Sequence, residues 1–433
     1  MQYGEALAYL ESRSSYERTG RIESPSTATI EKLCWALGDP QHSAPVVHIT
    51  GTNGKGSTAQ MITRILMAAG LRVGTYTSPH LERINERIQI DGEPISDRAF
   101  GEHVGAIADI EGVAGVRPGF FDICTAAAFR WFADEVVDAM VIEVGLLGRW
   151  DATNVVNSAV AVITNIGLDH TEFAGPTKQH IAREKAGIIK PGSLVVTGET
   201  DPELIEIFAA EGGSELLARG VDFELLANDL AVGGRMVDLR TPLATYRDVF
   251  VPLHGRHQGE NLAVAVCAAE ALFAQAVSSE VLEEAMAMVA MPGRFEVMSH
   301  QPLVIIDGAH NPAGADVCAS VFFGDFDPAG RRLLVVGCLN GRDPDELLAA
   351  LRADEFDRVA VCTAPSPRGR PAAELMAAAR RIGCDADQVS AVESVADAID
   401  SLLGDAGPDD ALLVTGSLYV VGAARSHLHQ RLP

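Results

Sequence analysis

The sequence has no C-x-x-C pair, no excess of basic residues and no long uninterrupted apolar run. Its seven cysteines (Cys34, Cys124, Cys267, Cys318, Cys338, Cys362 and Cys384) are scattered, most of them in apolar stretches such as Val361-Cys362. That distribution speaks against a zinc site or a disulfide framework, and buried free thiols in a reducing compartment are expected. With 34 Lys and Arg against 59 Asp and Glu, the net charge of −25 would repel a phosphate backbone, so nucleic acid is not an expected partner. An anionic small molecule is not excluded, because a helix N-terminus, a lysine and a divalent cation can make one pocket positive within an acidic protein. The most apolar segment, Val136 to Leu147, is interrupted by Asp138 and Glu143 and is too short to span a bilayer. The start, Met1-Gln2-Tyr3-Gly4-Glu5, has no basic region followed by an apolar run. Neither a membrane partner nor secretion is expected, and a cytoplasmic location is.

What is present is a chain of 433 residues, 47% hydrophobic and 21% charged, enough for two or three domains, each with its own core. Short Val- and Ile-rich runs alternate with loops and helix-period segments, the pattern of a mostly parallel sheet flanked by helices. Expected strands are Pro45 to Thr50, Arg72 to Thr77, Ala139 to Val144, Ala159 to Thr164 and Ser193 to Thr197. A helix from Ser57 to Ala69 would set Met61, Ile65 and Ala68 on one face. A second series, Leu303 to Asp307, Leu333 to Gly337, Arg358 to Cys362 and Ala411 to Thr415, follows Met291-Pro292-Gly293-Arg294. Between the two series, Ala231 to Arg240 and Thr245 to Pro252 alternate around Gly233-Gly234 and suggest a hairpin. The fold class is therefore α/β. Residues 1–292 are expected to form a phosphate-loop domain with a mostly parallel sheet, and residues 293–433 a smaller Rossmann-like α/β domain.

The densest signal is Gly51-Thr52-Asn53-Gly54-Lys55-Gly56-Ser57, between the apolar run Val46-Val47-His48-Ile49 and a helix opening at Ser57-Thr58. Strand, glycine loop and helix is the context a phosphate loop requires. Glycines let backbone N–H groups converge on phosphate oxygens, Lys55 reaches the outer phosphates, and the Ser57 hydroxyl can ligate Mg2+. The spacing is not the common one, since only Thr52 and Asn53 separate Gly51 from Gly54-Lys55 and Gly56 intervenes before Ser57. The plain structural alternative is a tight glycine turn with a solvated lysine.

Other candidates stand at strand ends, where α/β sheets bind ligands. Glu143 closes the apolar run Met140-Val141-Ile142 and suits a Mg2+ ligand, or else an edge glutamate paired with an arginine. His170 follows the strand ending near Thr164, and alone it reads as an ordinary loop histidine. Asp307 and His310 are placed in the same way in the second series, where a capping aspartate and a loop histidine are the plain alternative. Phe120 and Phe121 precede an apolar helix, which suits core packing or stacking on a flat heterocycle. Lys185, from its own segment, would be a solvated helical lysine.

The string Thr50-Gly51-Thr52-Asn53-Gly54-Lys55-Gly56-Ser57 resembles the phosphate loop of the Mur ligase superfamily, specifically of folylpolyglutamate synthase and dihydrofolate synthase. Matching strings run along nearly the whole chain. They include Thr77-Ser78-Pro79-His80-Leu81, Asn85-Glu86-Arg87-Ile88, Glu143-Val144-Gly145, Trp150-Asp151-Ala152-Thr153-Asn154, Gly167-Leu168-Asp169-His170-Thr171, Glu184-Lys185-Ala186-Gly187, Pro292-Gly293-Arg294-Phe295-Glu296 and Asp307-Gly308-Ala309-His310-Asn311-Pro312. The resemblance implies an ATP-dependent ligase that joins L-glutamate to a carboxylate acceptor, dihydropteroate or a reduced folate, through an acyl phosphate. It assigns Ser57 and Glu143 to the Mg2+ on the nucleotide, and Glu143 and His170 to a second Mg2+. Lys185 matches a lysine that becomes carbamylated, which would turn a repelling cation into a hard oxygen donor. Asn261, ahead of a helix beginning near Leu262, matches an adenine contact. Arg294 matches an arginine that reaches the phosphates, and Asp307 and His310 match residues near ribose and adenine.

Ser78, Pro79, His80 and Arg87, with Phe120 and Phe121, fall in the segments similar to those that bind the pteroate part of the acceptor. Asp151 matches an aspartate near the pterin. The family resemblance further implies a monomer and leaves open a monovalent cation. The chain departs from the family pattern at Leu147-Gly148-Arg149, where Gly-Gly-Arg is usual, and at Gly119 and Asp122, where threonine and glutamate are common. It departs again at Asn340-Gly341-Arg342-Asp343, in place of Asp-Lys-Asp. These bear on substrate choice, and two alternatives stay open: a paralogous ligase for a non-folate carboxylate acceptor, and a nucleotide-binding regulator without turnover.

Overall fold

The computed structural model describes residues 1–20 and 25–431. They divide into two compact units, one of residues 1–15, 25–252 and 256–290, the other of residues 16–20, 253–255 and 291–431. The larger unit is built on eight strands: β1 (Val46–Thr50), β2 (Val73–Tyr76), β3 (Ile88–Ile90), β4 (Glu93–Pro94), β5 (Ala139–Glu143), β6 (Ser158–Ile163), β7 (Leu194–Thr197) and β8 (Glu215–Ala218). They lie in the order β4-β3-β2-β5-β1-β6-β7-β8. All pairs from β2 to β8 are parallel, while β3 and β4 extend the edge antiparallel.

Central strands buried on both faces read as near-continuous apolar runs, and β1 is buried at every position, its polar His48 and Thr50 included. Met140 and Ile142 of β5 join Tyr76, Phe100, Phe129 and Phe132 in a core cluster under the helices Asp97–Ala114 and Phe120–Asp134. Helix Lys55–Ala68 buries Met61 and Ile65 at the expected spacing and half-buries Ala68. Because β1 runs between β5 and β6, the loop after it opens at the carboxyl edge of the sheet, next to Glu143 and the segment after Ile163.

The Gly233-Gly234 pair does mark a hairpin turn, but a third strand joins it: β9 (Glu224–Ala231), β10 (Gly234–Arg240) and β11 (Thr245–Val251) form an antiparallel sheet. The smaller unit holds β12 (Glu296–His300), β13 (Leu303–Ile306), β14 (Arg332–Val336), β15 (Arg358–Cys362), β16 (Val389–Val392) and β17 (Ala411–Thr415), in the order β12-β13-β17-β14-β15-β16. All pairs but β12–β13 are parallel. Strands β3, β4, β8, β12 and β16 were not expected from the sequence; all are short, and most lie at sheet edges, where half-exposure blurs the apolar pattern.

Two element boundaries need correction. The helix carrying Asn261 begins at His257, so Asn261 is in its second turn rather than ahead of it. Phe120 and Phe121 are the first two residues of their helix, not residues before it. All seven cysteines are buried and free. Among the described residues no helix is long and apolar enough to cross a membrane.

Candidate functional site

The loop after β1 takes a shape that only glycine permits at two points. Gly51 has φ +154° and Gly54 has φ +82°. A Cβ on Gly51 would lie 1.8 Å from Thr164 Oγ1, and one on Gly54 2.5 Å from Asn261 Oδ1. The loop is held from the segment after β6: Thr52 N donates to Asn165 O at 3.0 Å, Asn53 N to Asn165 Oδ1 at 3.0 Å, and Thr164 Oγ1 to Asn53 O at 2.6 Å. Thr52 Oγ1 in turn accepts from Gly167 N at 2.8 Å. The helix that follows starts at Lys55, and its Gly54 N-cap offers no side-chain acceptor. Its first-turn N–H groups, from Lys55, Gly56 and Ser57, therefore have no intrahelical partner and form an anion-binding end. Ser57 is buried in that first turn, and Asn261 is buried with its Nδ2 on Gln258 Oε1 at 3.0 Å.

Two lysines converge on this loop. Lys55 Nζ donates to Gly51 O at 3.1 Å and to Thr52 O at 3.3 Å, and Lys185 Nζ donates to Gly51 O at 2.8 Å. Lys185 is 4% exposed, which corrects the expectation of a solvated lysine. It lies one helical turn after the buried Ile181, so the two share the inward face of helix Lys178–Ala186. Burial, and then the charge of Lys55, hold its pKa well below the ordinary lysine value, while Asp169 and Asp151 oppose the shift.

Glu143 closes β5, is buried, and accepts from Ser78 N at 3.2 Å. His170 sits at φ +53° ahead of the helix Thr171–Ala174, with Nε2 3.6 Å from Asp169 Oδ2. Asp169 had drawn no role from the sequence, yet it is buried beside His170 and its charge is felt at Lys185. Its signal was its place next to a candidate histidine after a strand. Among the described residues no three His, Cys, Asp or Glu side chains form a metal-binding cluster. The side chains that the sequence suggests for a divalent ion are a hydroxyl (Ser57), a carboxylate (Glu143) and an imidazole (His170); the two oxygen donors among them are of the kind that Mg2+ takes.

The remaining candidates of this unit gather around β2 and the start of helix Phe120–Asp134. The Phe121 ring packs on Tyr76, centroids 5.9 Å apart, and over Gly145, where a Cβ would come within 2.4 Å of the ring. The buried Arg87 lies 5.2 Å from the Phe120 ring centroid and donates from Nε to His80 Nδ1 at 2.8 Å. Ser78 is half-buried and Pro79 exposed, joined by a cis peptide. Asp151 is buried and accepts from Leu146 N at 2.8 Å, Thr153 N at 3.0 Å and Thr153 Oγ1 at 2.6 Å. In the smaller unit, Asp307 binds the backbone N–H of Phe295 and of Ala309, both at 2.9 Å, and His310 Nδ1 lies 2.9 Å from Gly308 O. The Arg294 guanidinium covers Gly308, whose missing side chain leaves room for it: a Cβ there would lie 2.4 Å from Arg294 Nη1. The sequence-expected Arg294, Asp307 and His310 therefore form one cluster.

Two families match the chain: the Mur ligase middle domain over residues 122–269 and the Mur ligase glutamate ligase domain over residues 293–418. The dihydrofolate synthase/folylpolyglutamate synthase of Mycobacterium tuberculosis is 39% identical, over 93% of this chain and 90% of its own. The folylpolyglutamate synthase of Lacticaseibacillus casei is 35% identical over 99% of each. The chain belongs to the dihydrofolate synthase/folylpolyglutamate synthase family of Mur ligases. Among solved structures, M. tuberculosis folylpolyglutamate synthase complexed with ADP and AMPPCP matches with TM-score 0.90 and 37% identity over 98% of both chains. E. coli FolC in complex with DHPP and ADP matches with TM-score 0.89 and 32% identity, over 100% of this chain and 99% of that one.

The departures from the folylpolyglutamate synthase pattern have local causes. At Gly119 a Cβ would come within 3.3 Å of Ser14 O and Oγ, and Ser14 O accepts from Phe120 N at 2.9 Å. The N-terminal segment thus stands where a larger side chain would. Asp122 closes the same turn by accepting from Gly119 N at 2.9 Å, and burial pushes its carboxyl pKa up. Leu147 packs against the apolar cluster of Val144, Ile163, Ile181 and Ile188. In the smaller unit, Asp343 caps the helix Pro344–Ala350, accepting from Asp345 N and Glu346 N. Arg370 Nη2 donates to Arg342 O at 3.0 Å.

Proposed function

We propose that the protein is an ATP-dependent ligase that joins L-glutamate to dihydropteroate and extends reduced folates, both dihydrofolate synthase and folylpolyglutamate synthase. The observation that carries this reading is the uncapped helix end at Lys55 with two lysines on the Gly51 carbonyl. The N–H groups of Gly54, Lys55, Gly56 and Ser57 would cradle the nucleotide phosphates, with Lys55 swinging from the loop carbonyls to the outer phosphates. Thr52 and Asn53 hold the loop's shape, and Asn261 would face adenine. Nucleotide contact by Arg294, Asp307 and His310 rests on the family resemblance alone.

The acceptor carboxylate attacks the γ-phosphate to give an acyl phosphate and ADP; the amine of L-glutamate then attacks the acyl carbon and phosphate leaves. Phosphoryl transfer needs little covalent help, so positioning and charge neutralisation carry the rate. Ser57 and Glu143 would hold one Mg2+, and Glu143, His170 and a carbamylated Lys185 a second. Bound there, Mg2+ supplies neutralisation of phosphate charge. A neutral Lys185 amine is the form that adds CO2, and its lowered pKa supports the carbamate. For the acceptor, Phe121 offers a ring, Asp151 a carboxylate, and Arg87 with His80, Phe120, Ser78 and Pro79 the surrounding wall. The reading takes the chain as a cytoplasmic monomer.

Purified protein incubated with ATP, Mg2+ and L-glutamate plus either dihydropteroate or tetrahydrofolate is expected to form ADP and the glutamyl product. Phosphate release with neither acceptor sinks the folate reading and leaves the ligase for another carboxylate. No turnover and no nucleotide binding sinks both.

A further inference from the structure

One buried polar chain runs to Asp151 of the candidate acceptor site through two residues, His48 and Thr153, that have no role above. His48 lies in the middle of β1, fully buried and three residues ahead of Gly51. Its Nε2 is 2.9 Å from Thr153 Oγ1, which in turn is 2.6 Å from Asp151 Oδ1. Burial pushes the Asp151 carboxyl pKa up and hydrogen bonds from Thr153, Leu146 and Gly145 oppose that shift; the Thr153 hydroxyl has one proton, and it points to Asp151 Oδ1. Thr153 therefore donates to Asp151, and His48 must donate to Thr153 from a protonated Nε2. Its Nδ1 has no hydrogen-bond partner among the described residues, so the ring makes a single hydrogen bond, and that bond is to Thr153. Burial, with Lys190 as a second cause, pushes the His48 pKa down to about 3, so the imidazole is neutral at working pH, as the tautomer requires.

The chain has a mechanical consequence. Asp151 stands at the end of an irregular loop, ahead of the short turn Ala152–Val155. Thr153 fills Oδ1 through its N–H and its hydroxyl, Leu146 N donates to Oδ2, and the Gly145 backbone N–H also bears on the carboxylate. Their geometry fixes the orientation in which the carboxylate would meet an N–H donor, of the kind that a pterin or another aminated heterocycle presents. Without His48, the Thr153 hydroxyl loses the donor that fixes its rotation and polarises it toward Asp151. With His48, the carboxylate is referenced to β1, the strand that carries the phosphate loop. Nucleotide loop and acceptor carboxylate are thereby tied to one rigid element, which matters for a reaction whose rate depends on alignment of acceptor and γ-phosphate.

We propose that His48, acting through Thr153, is a positioning residue for Asp151 and so for acceptor binding; this rests on the reading of Asp151 as an acceptor contact. The test uses wild type, Asp151→Asn, Thr153→Val, Thr153→Ser, His48→Phe and the Thr153→Val/His48→Phe double variant. Each is assayed for the KM of ATP, the KM of dihydropteroate or tetrahydrofolate, and thermal midpoint. Thr153→Val and His48→Phe are expected to raise the acceptor KM about tenfold, the scale of one buried hydrogen bond, with the KM of ATP within about twofold. The double variant is expected to be no worse than the weaker single one, because both break one chain, and Thr153→Ser is expected to retain acceptor affinity. Thr153→Val is nearly isosteric and keeps the test open should His48→Phe not fold. An acceptor KM unmoved in Thr153→Val while Asp151→Asn raises it overturns the proposal, as does a KM of ATP rising in step with the acceptor KM. An Asp151→Asn protein with unchanged acceptor KM overturns the underlying reading of Asp151 instead.

Discussion

The side-chain nitrogen of Lys185 lies 2.8 Å from the carbonyl oxygen of Gly51, 134 residues away in sequence. Lys55 reaches the same oxygen at 3.1 Å. Two ammonium groups on one buried acceptor repel each other in a low-dielectric setting, and the more buried of the two gives way. Lys185 is that residue, so its neutral form is populated where an ordinary lysine would be charged.

Carbamylation of Lys185 follows from that neutral amine. Protein equilibrated with 13C-bicarbonate is expected to show a carbamate carbonyl resonance that is absent from Lys185→Arg. The neutral fraction grows as pH rises through the lowered pKa, so activation by bicarbonate should increase with pH on that limb. Lys185→Arg is expected to lose about 100-fold or more in kcat, the scale of removing one electrostatic group at a phosphoryl-transfer centre. A fully active Lys185→Arg protein would remove the carbamate from the mechanism.

Gly51 is the tightest point of the loop. Gly51→Ala would drive a methyl group to 1.8 Å from Thr164 Oγ1, and Thr164 is itself anchored to Asn53 O. The loop must shift by an ångström or more, which moves every N–H aimed at phosphate. A fall of about 100-fold in kcat/KM for ATP is expected, with the thermal midpoint showing that the fold survives. Normal ATP kinetics would mean that the phosphates bind elsewhere.

How much of this was legible in the sequence depends on how local each cause is. The phosphate loop was readable because strand, glycines, lysine and hydroxyl lie within twelve residues, and the structure gives it the expected strand and helix. Asn261 was recognised by its match, but its helix starts five residues earlier, at His257 rather than near Leu262. A helix N-terminus rich in polar residues that serve a site carries no apolar periodicity to announce it. The burial of Lys185 was out of reach, because it depends on a carbonyl 134 residues away, while its own segment reads as that of a solvated helical lysine. The same holds for His48 and Thr153, whose partnership crosses from β1 to the loop after β5.

Glu270 offers a check on the fold away from the site. The Tyr246 hydroxyl lies 2.6 Å from Glu270 Oε1 and 2.8 Å from Val277 O. It has one proton, and the carbonyl can only accept, so when Tyr246 donates to Val277 the other contact needs a proton on Glu270. Burial raises the Glu270 pKa accordingly, against the opposing effect of its hydrogen bonds. A raised carboxyl pKa gives stability that is complete below the unfolded value and is lost as pH rises through the folded one. Glu270→Gln donates an N–H at every pH. It should be more stable than wild type at pH 8, by on the order of 1 kcal/mol, with the gap closing toward pH 4. Parallel curves in the two proteins would mean that Glu270 is ionised throughout.

Leu147 decides whether a departure from the family pattern alters substrate choice or only packing. Its φ of +57° is one that L side chains adopt at a cost of about 1–2 kcal/mol, and glycine would adopt it freely. Its carbonyl accepts from Thr50 Oγ1, so the backbone there must keep this conformation. The side chain, however, packs against Ile181, Ile188 and their neighbours, and burying a leucine in part contributes about 1–2 kcal/mol. Leu147→Gly therefore exchanges strain for packing and adds about 0.5–1 kcal/mol of chain entropy to the unfolded state, a net loss of about 1 kcal/mol. If the side chain serves only that cluster, the ratio of kcat/KM for dihydropteroate over tetrahydrofolate stays within about fivefold of wild type, a difference near 1 kcal/mol. A larger change in that ratio, with stability little affected, would place Leu147 in acceptor selection and make this loop, rather than Gly119, the first place to look for the chain's own substrate preference.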